Sequence, residues 1–178
     1  MVIEALPSGS ARVEEVWRAL ADVADPEIPS VSVIDLGIVR RVEFVGEDAS
    51  RLEVEIMPTF VGCPAVDVMR AAIGERLSPF AGEVDVSVTF AEPWTAARIT
   101  PDGRRKLRES GFAPPSAAAA MPEGQLLQVL PSFTLPVAEC PYCGSRRTTL
   151  ENAFGPTLCR SIYHCGDCRQ PFEQFKTV

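Results

Sequence analysis

Two pairs of cysteines, Cys140 and Cys143 in "CPYCG" and Cys165 and Cys168 in "CGDC", are each spaced C-x-x-C. A knuckle of this spacing turns the backbone tightly and aims two thiolates at one point; two knuckles complete a tetrahedral sulfur shell for Zn2+. The 21 residues between the pairs lie just beyond the usual window of about 15–20, but a longer loop adds little to the cost of closure. A reducing compartment disfavours structural disulfides, and thiolates also bind iron–sulfur clusters. The ligand set is therefore better defined than the metal, with structural zinc first and a cluster second. A module this small needs its metal to fold. Cys159 reads as a small buried residue, and the sole histidine, His164, as a strand residue, because four cysteines already fill the shell.

The sixth cysteine stands apart in "TFVGCPAVDV", residues 59–68. Pro64 suits the first turn of a helix, which places Cys63 at or near a helix N-terminus, where free N–H groups and the dipole stabilise a thiolate. A metal ligand or nucleophile on one side, and a buried packing residue on the other, fit the local sequence equally well. Asp25 and Glu27 in "DPEIP" and Asp35 in "IDLG" are carboxylates beside turn residues, and Thr59 is a hydroxyl neighbour of Cys63. The bland alternatives are that Asp25 ends a helix and Asp35 satisfies a loop backbone. No general base is visible near Cys63, so an enzyme using it as nucleophile is the weakest reading. One histidine excludes multi-histidine metal sites within the chain. With one histidine, no nicotinamide or flavin fingerprint and no E-x-x-H pair, the chain is not itself expected to be a di-iron oxygenase.

The net charge of −7 and pI near 4.8 argue against general nucleic-acid binding. The charge is uneven: residues 1–139 hold 12 Lys+Arg against 21 Asp+Glu, and residues 140–178 hold 5 against 3. No apolar run approaches the roughly 20 residues of a membrane span. "MVIEALPSGS" lacks the basic and apolar regions of a signal peptide. The expected location is the cytoplasm, away from membranes.

The elements that must position these cysteines follow from periodicity. Residues 10–24 place Val13, Val16, Trp17, Leu20 and Val23 at helical spacing, with Ser10 as N-cap. "VSVIDLGIVRRVEFV" predicts a strand kinked or bulged at Gly37, and "RLEVEIMPTF" its hairpin partner. Residues 64–78 predict a helix buried along Val66, Met69, Ile73 and Leu77. "EVDVSVTFAEPW" predicts a third strand with Val84, Val86, Val88 and Phe90 facing one way. "ITPDGRRKLRESG" predicts a short helix opened by Pro101 and closed by Gly111. The expected fold class is α+β: an α-β-β-α-β-(α) domain with helices packed on a three-stranded sheet, then a C-terminal β-rich zinc ribbon. Residues 1–111 form the first domain, 112–134 a linker and 135–178 the ribbon, closed by "PFEQFK" with Phe172 and Phe175 inward. The apolar stretch "LLQVLPSFTLPVAEC" is expected to pair or pack back onto a domain.

"DPEIPSVSVIDLGIV", "MPTFVGCPA" and "FAEPW", in that order, resemble the small domain of iron–sulfur cluster assembly and targeting proteins over residues 12–110. The resemblance carries the family's cluster-handling cysteine onto Cys63 and its acid onto Asp25. Followed by "CPYCGS…ENAFGPTLCRSIYHCGDCRQPFEQFK", the chain resembles, over nearly its whole length, the protein D family of bacterial phenylacetate degradation. That resemblance implies an accessory or maturation role beside a multicomponent phenylacetyl-CoA epoxidase, with the di-iron oxygenase component or the iron–sulfur reductase component as protein partner. Cys63 would then be a transient ligand for an iron–sulfur cluster or iron. One thiolate cannot hold a cluster, so a symmetric homodimer, small thiols or a client must supply the rest. The alternative is a structural or interaction subunit with only a structural metal site.

Overall fold

The computed structural model describes residues 9–46, 49–60, 62–115 and 137–175. The chain divides into two units, residues 1–93 and 94–178.

In the first unit, helix α1 (Gly9–Leu20) buries Val16, Ala19 and Leu20. Strands β1 (Val39–Val45) and β2 (Arg51–Ile56) form an antiparallel hairpin. Helix α2 (Val66–Leu77) then crosses to β3 (Glu83–Val88), which lies parallel to β2 in the order β1-β2-β3. A parallel pair cannot be joined by a tight turn, so a crossover of this length is required. Alternation decides the faces. Leu52, Val54, Ile56 and Val86 are buried, and Met69, Ile73 and Leu77 bury one stripe of α2. The opposite sheet face carries ion pairs, with Arg51 at 3.2 Å from Glu53 and 3.6 Å from Asp85, and Arg40 at 2.7 Å from Glu55. Pairs this exposed contribute about 0–1 kcal/mol each; their main effect is to keep that face polar.

The expected strand over 31–45 begins only at Val39. Residues 21–38 are instead a tightly folded loop that buries Ile28, Val31, Val33, Leu36 and Ile38. Short polar side chains take over the backbone there, as they do wherever they offer it an alternative to a ladder. Asp35 Oδ2 accepts the Ser32 N–H at 2.8 Å and its hydroxyl at 3.0 Å, while Ser32 Oγ accepts the Asp35 N–H at 3.1 Å. Gly37, at φ +62°, turns the chain into β1. Helix α1 also ends sooner than expected, unwinding through i→i+3 bonds from Asp22 to Ala19 and from Val23 to Leu20. Strand β3 stops at Val88, and Phe90 is exposed.

The second unit holds a 3-10 turn (Ala96–Arg98), helix α3 (Pro101–Glu109), and strands β4 (Phe112–Ala113), β5 (Thr148–Asn152), β6 (Arg160–Cys165) and β7 (Pro171–Phe175) in the order β4-β7-β6-β5. Thr100 caps α3 by accepting the Gly103 N–H at 2.9 Å, and Gly111 leaves it at φ +84°. Phe112 and Ala113, placed by the sequence pattern in a linker, pair in parallel with Glu173 and Gln174. Trp94 meets Phe175 edge-on, with centroids 5.8 Å apart. The edge of β7 and this buried indole explain why the division falls at residue 93 and not at 111. Residues 116–136, which include most of the expected linker and "LLQVLPSFTLP", lie outside the described residues.

Phe172 and Phe175 are both buried, but an odd separation on a strand sends them to opposite faces. On one face Phe172 stacks on Tyr163 at 5.6 Å, within a core completed by Ala113, Ala138, Cys140 and Cys165. On the other, Arg160 lies over the Phe112 ring at 5.2 Å and pairs with Glu173 at 3.1 Å.

Replacing Asp35 by Ala strands the buried Ser32 N–H. Urea unfolding should show a loss of about 1–3 kcal/mol, with bound metal unchanged. An unaltered urea midpoint would refute the structural role assigned to Asp35.

Candidate metal centre and the Cys63 loop

The two knuckles are built alike. In the first, the Cys140 N–H bonds Ser145 O and the Gly144 N–H bonds Cys140 O, both at 2.9 Å. In the second, the Cys165 N–H bonds Gln170 O at 3.0 Å and the Arg169 N–H bonds Cys165 O at 2.9 Å. The fifth residue of each is left-handed, Gly144 at φ +73° and Arg169 at φ +59°. Glycine adopts this freely, whereas an arginine does so only where its surroundings insist. Asp167, inside the second knuckle, accepts the Ser145 hydroxyl at 2.5 Å and pairs with Arg147 at 2.8 Å, and the Gly166 N–H bonds Arg147 O at 2.8 Å. These bonds tie the knuckles to each other.

The four Sγ atoms lie within 4.8 Å of one another, and the Cys140–Cys168 and Cys143–Cys165 separations are both 3.6 Å. A tetrahedron with Zn–S bonds of about 2.3 Å has sulfur–sulfur edges of about 3.8 Å. The donor set thus fits a tetrahedral metal. The thiols also divide protons as such a set must. Cys165 is drawn down to about 6, chiefly by the backbone N–H of Cys168. Cys168 is driven up to about 12: the Gln170 N–H opposes this, but burial and the three neighbouring sulfurs outweigh it. A cation is what allows all four to ionise together. Cys159 is buried and 3.1 Å from the Thr157 hydroxyl, and His164 sits within β6.

Around Cys63 the geometry differs from the sequence expectation. Helix α2 starts at Val66, with Ala65 as N-cap, so Cys63 precedes the cap by two residues. The N–H groups of Ala65 and Val66 nearby still favour its thiolate. Their pull towards thiolate is outweighed. Burial of the half-buried thiol is the largest effect, the charges of Glu27 and Asp25 add to it, and the pKa is raised. The charges of Glu27 and Asp25 therefore reach Cys63, and it stands as a protonated thiol and not as a thiolate. Asp25 is itself oriented, since its Oδ1 accepts the N–H groups of Glu27 at 2.9 Å and Ile28 at 2.8 Å. Thr59 is buried, with no hydrogen-bond partner for its hydroxyl among the described residues. Asp35 is engaged within its own loop and is not among the groups acting on Cys63. The proximity of Glu27 could not be read locally, because it depends on how the 21–38 loop folds back.

Residues 13–90 match the family described as iron–sulfur cluster assembly protein, and residues 130–176 the PaaD zinc beta ribbon domain. Over 168 residues, 94% of each chain, the sequence is 37% identical to an Escherichia coli (strain K12) protein named as one subunit of a "Putative 1,2-phenylacetyl-CoA epoxidase". The chain belongs to the PaaD family. Among solved structures it is similar to a domain of unknown function (DUF59) from Bacillus anthracis, at 25% identity and a TM-score of 0.51, covering 56% of this chain and 93% of that one. A conserved hypothetical protein from Thermotoga maritima aligns at 29% identity with a TM-score of 0.44, covering 53% of this PaaD chain and 91% of its own. The α+β class and the ribbon expected from sequence agree with the two family matches and with the Bacillus anthracis domain. No helix among the described residues is long and apolar enough to cross a membrane.

Alkylation of Cys63 in this PaaD protein should show a pH midpoint above the ordinary thiol range. Glu27→Gln, by removing a nearby negative charge, should lower that midpoint and speed alkylation at about pH 8. A midpoint that Glu27→Gln leaves in place would contradict the electrostatic account. Separately, a strong chelator should release one metal per chain and abolish the near-ultraviolet signal of Tyr163; a signal that survives complete metal loss would show that the ribbon folds without it.

Proposed function

We propose that the protein serves phenylacetate catabolism as an accessory subunit of phenylacetyl-CoA epoxidase. In this reading it assists assembly or repair of an iron–sulfur or di-iron centre in an oxygenase or reductase partner, in the cytoplasm. Cys63 is the transient ligand for the cargo. Cys140, Cys143, Cys165 and Cys168 hold a structural zinc that takes no part in the transfer. The observation that carries this reading is the placement of Cys63 just before α2, within the electrostatic reach of Glu27 and Asp25, in a domain of the iron–sulfur assembly family.

The raised thiol supports the reading in a specific way. A protonated thiol is a poor nucleophile and resists oxidation. The two carboxylates that disfavour its anion also attract a cation, and an arriving iron ion displaces the thiol proton as the Fe–S bond forms. The cargo is thereby bound only when it is present. The same raised thiol also favours a second reading, in which Cys63 merely packs and the protein is a structural or interaction subunit of the oxygenase complex.

Cys63→Ala separates them. Under the assembly reading, the variant retains its fold and ribbon zinc, but the partner co-produced with it under anaerobic conditions shows several-fold lower iron and sulfide per chain. Full occupancy of the partner, together with lost stability of the variant, would establish the packing reading instead.

A further inference from the structure

Charge is distributed unevenly between the two units. The first has 7 Lys+Arg against 17 Asp+Glu, and the second 10 against 7. Within the second, helix α3 treats its arginines differently. Arg105 pairs with Asp102 at 3.3 Å and Glu109 at 2.8 Å. Arg104 and Arg108, one turn apart on another face, have no acidic partner among the described residues. Like charges at this spacing destabilise a helix slightly. Arg104 is locked in place, its Nη1 donating to Pro115 O at 2.7 Å and its Nη2 to Ala96 O at 2.5 Å.

Arg104, Arg108 and Arg146 all line one cavity of about 300 Å³, together with Gln174 and Glu139. Arg146 follows the first cysteine knuckle and, like Arg108, makes no hydrogen bond or ion pair among the described residues. Gln174 also lines the cavity; its amide makes no hydrogen bond among the described residues and is not among the sealed polar atoms, so it is open to hydrogen bonding from the cavity. The dipole at the end of α3 accounts for a cation at Arg108, but not for Arg146 beside it in the same cavity.

We propose that this cavity binds a phosphate-bearing small molecule. Guanidinium forks match phosphate oxygens in geometry and charge. Arg108 and Arg146 supply two forks, Arg104, whose Nη groups are held by backbone carbonyls, a fixed positive charge, and Gln174 a neutral donor and acceptor. Glu139 would repel a bare anion but accepts hydrogen bonds from a hydroxyl or amino group. That selects a phosphate ester of a sugar or nucleoside over free phosphate. The cavity lies at the small end of ligand sites, so it holds a phosphorylated end and not an entire dinucleotide. The site stands independently of the proposed function; only the choice of coenzyme A as one probe rests on that reading.

The test uses the full metal-loaded chain in titration calorimetry, with adenosine 3′,5′-bisphosphate, coenzyme A, inorganic phosphate and unphosphorylated adenosine as probes. Saturable binding of the phosphorylated probes but not of adenosine is expected, weaker by about tenfold or more in Arg108→Gln and in Arg146→Gln, and weaker also in Gln174→Leu. Binding of inorganic phosphate as tight as that of the esters would support the anion site with free phosphate as its source. No saturable binding up to millimolar probe would overturn the proposal. So would binding that is unchanged in the arginine variants while their circular dichroism and metal content match the parent. Cys63→Ala should bind the probes normally, so failure at Cys63 and failure here are distinguishable.

Discussion

Four sulfur atoms within 4.8 Å of one another cannot all be ionised without a cation among them. Much of the second unit follows from that constraint. Each knuckle must bend through a left-handed residue to aim its sulfurs, hence Gly144 and the otherwise unfavourable Arg169. The strand that leads into the second knuckle, β6, is held in register between β5 and β7, and the Tyr163–Phe172 stack sits directly beside Cys165 and Cys140. A core of so few side chains is too small to define a fold by burial alone. The sulfur cluster supplies the missing cross-link.

The first unit obeys a different constraint. Its sheet has a helix-covered face and a charged face, so its core is ordinary and its chemistry is confined to loops. The 21–38 loop is buried by its apolar residues and satisfied by Asp25, Ser32 and Asp35 acting on neighbouring backbone groups. That folding back brings the charges of Glu27 and Asp25 to bear on Cys63. Two backbone N–H groups at the start of α2 pull the thiol one way, while burial and the carboxylates pull it the other and prevail. The balance keeps Cys63 a protonated thiol and not a free nucleophile.

The sequence by itself determined the element order of the first unit, the hairpin, the buried stripe of β2, that of α2 from Met69 to Leu77, and the spacing of the four clustered cysteines, because each depends on periodicity or on spacing within one segment. Tertiary structure decided the rest. The strand expected over 31–45 lost its first half to a loop, since reciprocal bonds between Ser32 and Asp35 compete with a ladder and no propensity scale records them. Trp94 and Phe112 joined the second unit because β7 offered a face and an edge, and a partner strand so far along the chain is invisible to local pattern. Local sequence placed Cys63 beside a helix start and so suggested a thiolate; only the three-dimensional proximity of Glu27 and Asp25, with burial, reversed the sign. The arginine-lined cavity is likewise tertiary, since Arg104, Arg146 and Gln174 share a wall only after the chain has folded. Short-range periodicity and ligand spacing are encoded in neighbouring residues, whereas charge balance and cavities are sums over the whole fold.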